Sequence, residues 1–181
     1  IKMKKEEKKM WTIIKKEVKS YFLSPIAYIF IGLFLFMNSI FFYLDVYAIG
    51  RVNFEYMFGS LATVLTFAVP ILTMRMFAEE RKNGTEQILY TSPRSITSIV
   101  LGKFLAATII MVICEVFTLM YLGILKYFGQ PHISTALVTL LGFLLLSMAY
   151  IAFGMFASSI TENQIIAGVI TIAGLLVIWF M

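Results

Sequence analysis

Apolar residues run along this chain in long uncharged blocks. Residues 22–44 carry no charge at all. Residues 57–74 form a second block, closed by Arg75. Residues 104–125 form a third, bounded by Lys103 and Lys126 and interrupted only by Glu115. Residues 133–160 form a fourth, and residues 165–181 a fifth that stays apolar to Met181. A helix needs about 20 such residues to cross a bilayer core. The blocks lack both the alternating pattern of barrel strands and the stripes of a soluble core. Backbone groups in lipid must pair within their own segment, which leaves helices. The predicted fold class is therefore all-α integral membrane, a polytopic helix bundle forming one transmembrane domain over residues 1–181.

Composition and charge sharpen this picture. Apolar residues are 60% of the chain and charged residues 14%, against roughly 25% charged in a soluble domain. Eight lysines precede the first block: Lys2, Lys4, Lys5, Lys8, Lys9, Lys15, Lys16 and Lys19. Arg75, Arg81, Lys82, Arg94 and Lys103 lie between the second and third, whereas the other two basic connectors hold only Arg51 and Lys126. By the positive-inside rule the N-terminus and the 75–103 connector are cytoplasmic. The expected location is the cytoplasmic (plasma) membrane, multi-pass. The basic arm reads as a contact with the lipid bilayer and not with nucleic acid, since no folded module accompanies it. The first block starts too late and runs too long for a secretory signal. Cys114, within a block, is the single cysteine of the sequence, so no internal disulfide is possible, and no metal-ligand spacing exists. The lone His132 reads as a solvated loop residue.

Between the blocks, residues 10–22 form an amphipathic helix. Met10, Trp11, Ile14, Val18, Tyr21 and Phe22 share one face, and Lys15, Lys16 and Lys19 lie largely on the other. Such a helix is expected flat in the membrane interface, with Ile14 toward lipid. Ser24-Pro25 breaks it and opens the first span. In the long connector, Gly84 can end one short helix, and Thr85 with Glu86 can cap another. Ser92-Pro93 stops the second, and Ser95 can cap the third span. A charged, capped helix pair of this kind suits a docking surface, although a solvated loop with i, i+4 ion pairs accounts for the same residues.

This connector resembles that of the type-2 ABC exporter permeases. The likeness lies in Glu79-Glu80-Arg81, Gly84-Thr85, Gln87, Leu89 and Ser92-Pro93, followed by Gly102-Lys103. Ser158-Ser159 and Glu162-Asn163-Gln164-Ile165, with Ala167, support it ahead of the fifth span. Within that family the chain is most similar to permeases of gliding motility and copper-enzyme maturation. The resemblance implies a permease subunit of an ATP-driven exporter, pairing with a second copy or a paralogue. It implies that residues 75–95 hold a coupling helix seated on a separate ABC ATPase subunit, with Glu79, Glu80, Arg81, Gly84, Thr85, Glu86, Gln87 and Leu89 as coupling residues. The chain itself carries no phosphate loop, because Gly102-Lys103-Phe104 lacks the upstream glycine and the hydroxyl residue. ATP and Mg would therefore sit on the partner, and this chain is expected to bind no cofactor and to hold no catalytic residue or metal. Family members have six spans. Five are legible here, so the sixth is expected outside this sequence, and the start is expected at Met3 or Met10 or within a longer chain.

Inside the bundle, Ser60, Thr63, Thr66, Pro70 and Thr73 share one arc of the second span. They either line a pathway or hydrogen-bond their own backbone. Ser147, Gly154 and Ser158 form a packing face on the fourth span. Glu115, flanked by Thr108 and Thr118, must be neutral or paired and must face the bundle. It is either a proton- or substrate-sensitive site or a buried structural carboxyl. A secondary transporter would need broken-helix repeats, which are absent from these spans. A non-transporting scaffold or force transmitter on the same fold carries the same sequence features as a permease.

Overall fold

The computed structural model describes residues 2–48, 54–85, 95–128 and 132–181. Among them seven α-helices follow one another: α1 (Lys2–Leu23), α2 (Pro25–Tyr43), α3 (Phe54–Thr73), α4 (Ala78–Lys82), α5 (Ile96–Phe128), α6 (Ile133–Ile160) and α7 (Gln164–Phe180). A π-helical turn, Leu44–Ala48, extends α2. Four stretches are long and apolar enough to cross a bilayer: Pro25–Val46, Met57–Lys82, Ile96–Tyr127 and Ile133–Ile160. Gln164–Phe180 is a shorter apolar helix. The chain is an all-helical polytopic membrane protein, as the apolar blocks predict.

The element boundaries have local chemical causes. Ser24 separates α1 from α2 with an extended backbone, and its Oγ accepts a hydrogen bond from Ile26 N at 3.3 Å. Pro25 takes the first helical position, where its missing N–H costs nothing. The side chain of Asn163 accepts from Ile165 N at 2.9 Å and starts α7. Helix α5 begins eight residues before the apolar block it contains, at Ile96 instead of Phe104. The Ser95 carbonyl accepts its first bonds, from Ser98 N and Ile99 N. Lys103 therefore stands inside a helix of 33 residues, about 50 Å long at ~1.5 Å per residue.

Helix α3 is the most enclosed span, packed by α2, α6 and α7, while α5 packs on α1, α2 and α6. Phe30 and Phe34 of α2, Leu61, Leu65 and Leu72 of α3, Ile110 and Met111 of α5 and Ile151 of α6 are fully buried between them. Phe143 joins three helices, its ring 4.8 Å from Phe58 and 6.1 Å from Phe34. A second seam is polar. Asn38 of α2 donates to Thr118 Oγ1 of α5 at 2.7 Å, and Ser39 Oγ lies 2.6 Å from the Tyr121 hydroxyl. Interhelical bonds of this type add about 0.6 kcal/mol each inside a bilayer.

The amphipathic face of α1 differs from the expectation. Ile13, Ile14 and Tyr21 are buried against the protein, while Trp11 is exposed and Lys15, Lys16 and Lys19 face outward. Ile14 is thus covered by the bundle and not by lipid. The physical reason is Gly102 of α5: a Cβ there would lie 2.6 Å from Ile13 Cγ2, so only a glycine lets the two helices approach this closely. Helix α1, helix α4, the start of α5 and the turn between α6 and α7 together form one end of the bundle, called the base below.

Candidate functional site

The base is organised around a buried ammonium. Lys103 Nζ donates to Glu80 Oε1 of α4 at 2.8 Å and to Glu17 Oε2 of α1 at 3.5 Å. The lysine side chain is 3% exposed, and those of Glu80 and Glu17 are 19% and 16% exposed. The same ammonium stands 5.4 Å above the Phe77 ring. Such a charge is retained in a closed site only when it is paired, and here two carboxylates from two other helices share it. One cation therefore fastens α1, α4 and α5 to each other.

Arg75 holds the next corner. Its Nη1 donates to Ser24 Oγ at 2.9 Å and lies 3.9 Å from Glu79 Oε2, with the guanidinium 5.1 Å from the Tyr21 ring. Tyr21 in turn donates its hydroxyl to the Leu72 carbonyl at 3.1 Å. Burial pushes the Tyr21 phenol well above its ordinary range, and the Arg75 charge offsets this only in part. A polar cleft of about 210 Å³ opens between α1 and α4, where Lys16, Arg75 and Lys103 balance Glu17, Glu79 and Glu80.

Ser158 fixes the break between α3 and α4. Its Oγ accepts from Phe77 N and Ala78 N, both at 3.1 Å, and donates to the Met74 carbonyl at 3.1 Å. One hydroxyl on α6 thereby satisfies three backbone groups that the break would orphan. One turn earlier, Gly154 makes room for Thr73, whose side chain occupies the volume a Cβ would need. The Gly154/Ser158 spacing thus does pack helices, and the serine also serves as a cap.

Helix α4 ends as its sequence predicts. Gly84 has φ +69°, Thr85 N donates to the Glu80 carbonyl at 2.9 Å, and Gly84 N donates to the Arg81 carbonyl at 3.1 Å. This is the Schellman arrangement, which needs a left-handed residue at the glycine position. The Thr85 hydroxyl donates to the Glu80 carbonyl at 3.2 Å, tightening the same turn. Lys82, Asn83, Gly84 and Thr85 are exposed, and Glu79 is half-exposed. The remaining coupling candidates, Glu86, Gln87 and Leu89, lie outside the described residues.

The arc on α3 divides. Thr66, Pro70 and Thr73 are buried within the protomer, and the two hydroxyls donate to the Ala62 and Val69 carbonyls of their own helix at 3.5 and 3.1 Å. Thr63 is exposed and Ser60 half-buried. Thr63 and Pro70 are two turns apart on nearly the same line of the helix, so their difference in exposure follows their level along α3 and not the helical angle. Glu115 faces the bundle and is 8% exposed. Its Oε1, like Asn38 Oδ1, has no hydrogen-bond partner among the described residues. Thr108 and Thr118 give their hydroxyl protons to the Phe104 and Cys114 carbonyls instead, at 2.9 and 3.0 Å.

Sequence reasoning missed Lys103 and Glu17 as partners, and missed Asn38. Lys103 reads in the sequence as the edge of a span. Glu17 does carry a signal, because it stands on the helical stripe of Ile13, Ile14 and Tyr21, where an unpaired carboxylate would be costly. No curated protein and no solved structure matches the chain. The family described as ABC-2 family transporter protein matches residues 50–181, from just before α3 through α4 and Lys103 to the end of α7. A helical membrane bundle with this base and this match belongs to the ABC-2 transporter family, as a membrane component of an ABC transporter.

Proposed function

We propose that the chain is the transmembrane permease subunit of an ATP-driven exporter. One copy forms half of a dimeric pathway with a second copy or a paralogue, and a separate ATPase subunit binds ATP and Mg. The base faces the cytoplasm of the cell's plasma membrane, with the N-terminus on that side. The kinship with gliding-motility and copper-enzyme-maturation permeases belongs to the same reading.

The observation that carries it is the build of α4. Its outer end offers Glu79, Lys82, Asn83 and Thr85 to a partner, while its inner side is bound through Glu80 to Lys103 and through Ser158 to α6. A push on the exposed end reaches α1, α5 and α6 through these contacts. Within the coupling segment, residues 75–95, Glu79 takes the docking role and Glu80 becomes the inner anchor. Ser60 and Thr63 are the members of the α3 arc left to face a second protomer.

The test uses cysteine and a photoreactive residue at exposed Asn83. Buried Cys114 does not compete for the reagent. An impermeant thiol reagent should label Asn83→Cys in inside-out vesicles and not in intact cells. The photoreactive side chain should cross-link to an ATP-binding chain encoded with the permease. Labelling from outside overturns the orientation, and cross-links to lipid alone overturn the docking.

A further inference from the structure

Glu115 takes no part in the base. It stands on α5 midway between Lys103 and Lys126, about 17 Å along the helix from either at ~1.5 Å per residue. It is 8% exposed, and its Oε1 has no hydrogen-bond partner among the described residues. Helix α5 packs on α1, α2, α3 and α6. The ionisable groups of α2 are Tyr28 and Tyr43, with Asp45 in its π-helical extension, and α6 holds only Tyr150. Helix α3 holds Glu55 and Tyr56 at its start, and α5 itself adds Cys114 and Tyr121. All of these are acids. The cations of α1 belong to the base, where Lys15, Lys16 and Lys19 face outward and Glu17 is bound to Lys103. A carboxyl so placed has neither water nor a cation beside it, and the interior of a bilayer holds such a group in its uncharged form.

The surroundings of Glu115 differ on its two sides. Toward the base, the inner face of α5 is Met111, Ile110, Ala107 and Ala106, all fully buried, and the Thr108 hydroxyl gives its proton to the Phe104 carbonyl. Away from the base the same face is polar. Thr118, one turn on, accepts from Asn38 of α2 at 2.7 Å, and the Ser39 and Tyr121 hydroxyls lie 2.6 Å apart. Asn38 Oδ1 has no hydrogen-bond partner among the described residues, and Ser39 is exposed at the end of the seam. A hydroxyl both donates and accepts, so a line of them can hand a proton along. From Glu115 to Tyr121 the seam covers about 9 Å of α5.

We propose that Glu115 is a proton-binding site, loaded and emptied along the α2–α5 seam from the end of the bundle away from the base. On emptying, the O–H bond of the acid breaks, the proton is taken by water at the outer end of the seam, and a carboxylate stays behind. Reloading is the reverse. The carboxylate leaves an unpaired charge among apolar spans, so the seam parts to admit water. Proton binding at Glu115 is thereby linked to the packing of α2 on α5. The proposal rests on the membrane-spanning bundle alone, so its failure leaves the coupling reading untouched.

The experiment reconstitutes the full chain in phosphatidylcholine vesicles and records infrared spectra of the parent and of Glu115→Gln. At about pH 6.5 an ordinary glutamate, with a pKa near ~4.3, is ionised. The difference spectrum should nevertheless show one neutral-acid C=O band in the parent. Absence of that band overturns the site, since the carboxyl would then be charged. On transfer to D₂O the band shifts as the proton exchanges. Tyr121→Phe should slow this shift severalfold, and Thr108→Val, on the base side, should leave it unchanged. Any other order overturns the route. Should Glu115→Gln fail to fold, dicyclohexylcarbodiimide, an apolar reagent for protonated carboxyls, decides on the unsubstituted chain. An adduct on Glu115 that fades as the pH is raised supports the proposal. No adduct there, or one indifferent to pH, overturns it. So does an adduct that sodium ions prevent at constant pH, because the ligand would then be a metal cation.

Discussion

Lys103 and Glu80 meet at 2.8 Å across 23 residues of sequence, and the contact ties the short helix α4 to the long helix α5. Glu17 completes the set from α1 at 3.5 Å. Because the lysine is nearly closed off and both carboxylates are part-buried, these charges are not a surface pair of little worth. Removing one member leaves the others desolvated without a counter-charge.

The order of damage follows from that geometry. Lys103→Met strands two carboxylates and is expected to cost about 3 kcal/mol, the lower end for breaking a buried pair. Glu80→Gln should cost less, about 1–2 kcal/mol, because Glu17 still serves the lysine and an amide can accept a hydrogen bond. Glu17→Gln, on the longer contact, should cost least. Thermal melting of the purified variants gives the ranking. A Lys103→Met protein that melts with the parent would show that the triad contributes nothing.

Gly154→Ala is expected to destabilise the bundle by roughly 1–3 kcal/mol, since a new methyl must displace Thr73 from a closed contact. Combining it with Thr73→Ala should recover part of the loss, because the clash includes the threonine hydroxyl and methyl. Melting temperatures of the two single variants and the double variant form the cycle. Simple additivity would place the cost elsewhere.

Asn38→Leu should be nearly neutral, within about 1 kcal/mol, although Asn38 is fully buried. The change loses the bond to Thr118, but it also removes an amide oxygen that has no partner among the described residues. Thr118 keeps its bond to the Cys114 carbonyl. Ser158→Ala is the contrast. It strips three backbone groups of a partner and should cost about 2–3 kcal/mol, with faster amide exchange at Phe77 and Ala78. Equal melting of the two variants would contradict this reading of the polar contacts.

Tyr21 sets an alkaline limit. Its folded-state pKa lies above the unfolded value of 10.0, so the unfolded chain loses the proton first as pH rises. The buried phenol's contribution is complete below about pH 10 and declines above it. Tyr21→Phe should lose about 1 kcal/mol at neutral pH with the bond to the Leu72 carbonyl, and its stability should fall less steeply than the parent's above pH 10. Melting curves of both proteins from pH 7 to 11 make the comparison, and parallel curves would rule the phenol out.

Length and polarity made the spans legible, because a bilayer demands about 20 apolar residues and the blocks supply them. Local stereochemistry made Ser24-Pro25, Asn163 and the Gly84 turn legible, since each acts on neighbours within a few residues. The candidate site was legible only in part. The sequence places Glu80 in a charged connector but cannot say that Lys103 folds beneath it, because that depends on how α1, α4 and α5 cross. The same holds for Ile14, whose apolar face fits lipid and protein equally well until Gly102 brings α5 close. The arc on α3 was legible as a set of residues, but its sequence left two readings open, and only the structure shows that Thr66 and Thr73 bond their own backbone.

Pro70 has no N–H to give the Thr66 carbonyl, so the backbone ladder of α3 lacks one rung there. Below that gap, Met74 N still bonds the Pro70 carbonyl at 2.8 Å, Thr73 sits in the space Gly154 leaves open, and Ser158 clasps the residues that follow. The weak rung thus lies directly above the most firmly fixed turn. Any bending of α3 is concentrated at Pro70, with the lower turn as fulcrum and the stretch from Phe54 to Val69 as the moving arm. Thr63, exposed on that arm, is carried with it, while Thr73 stays with the base.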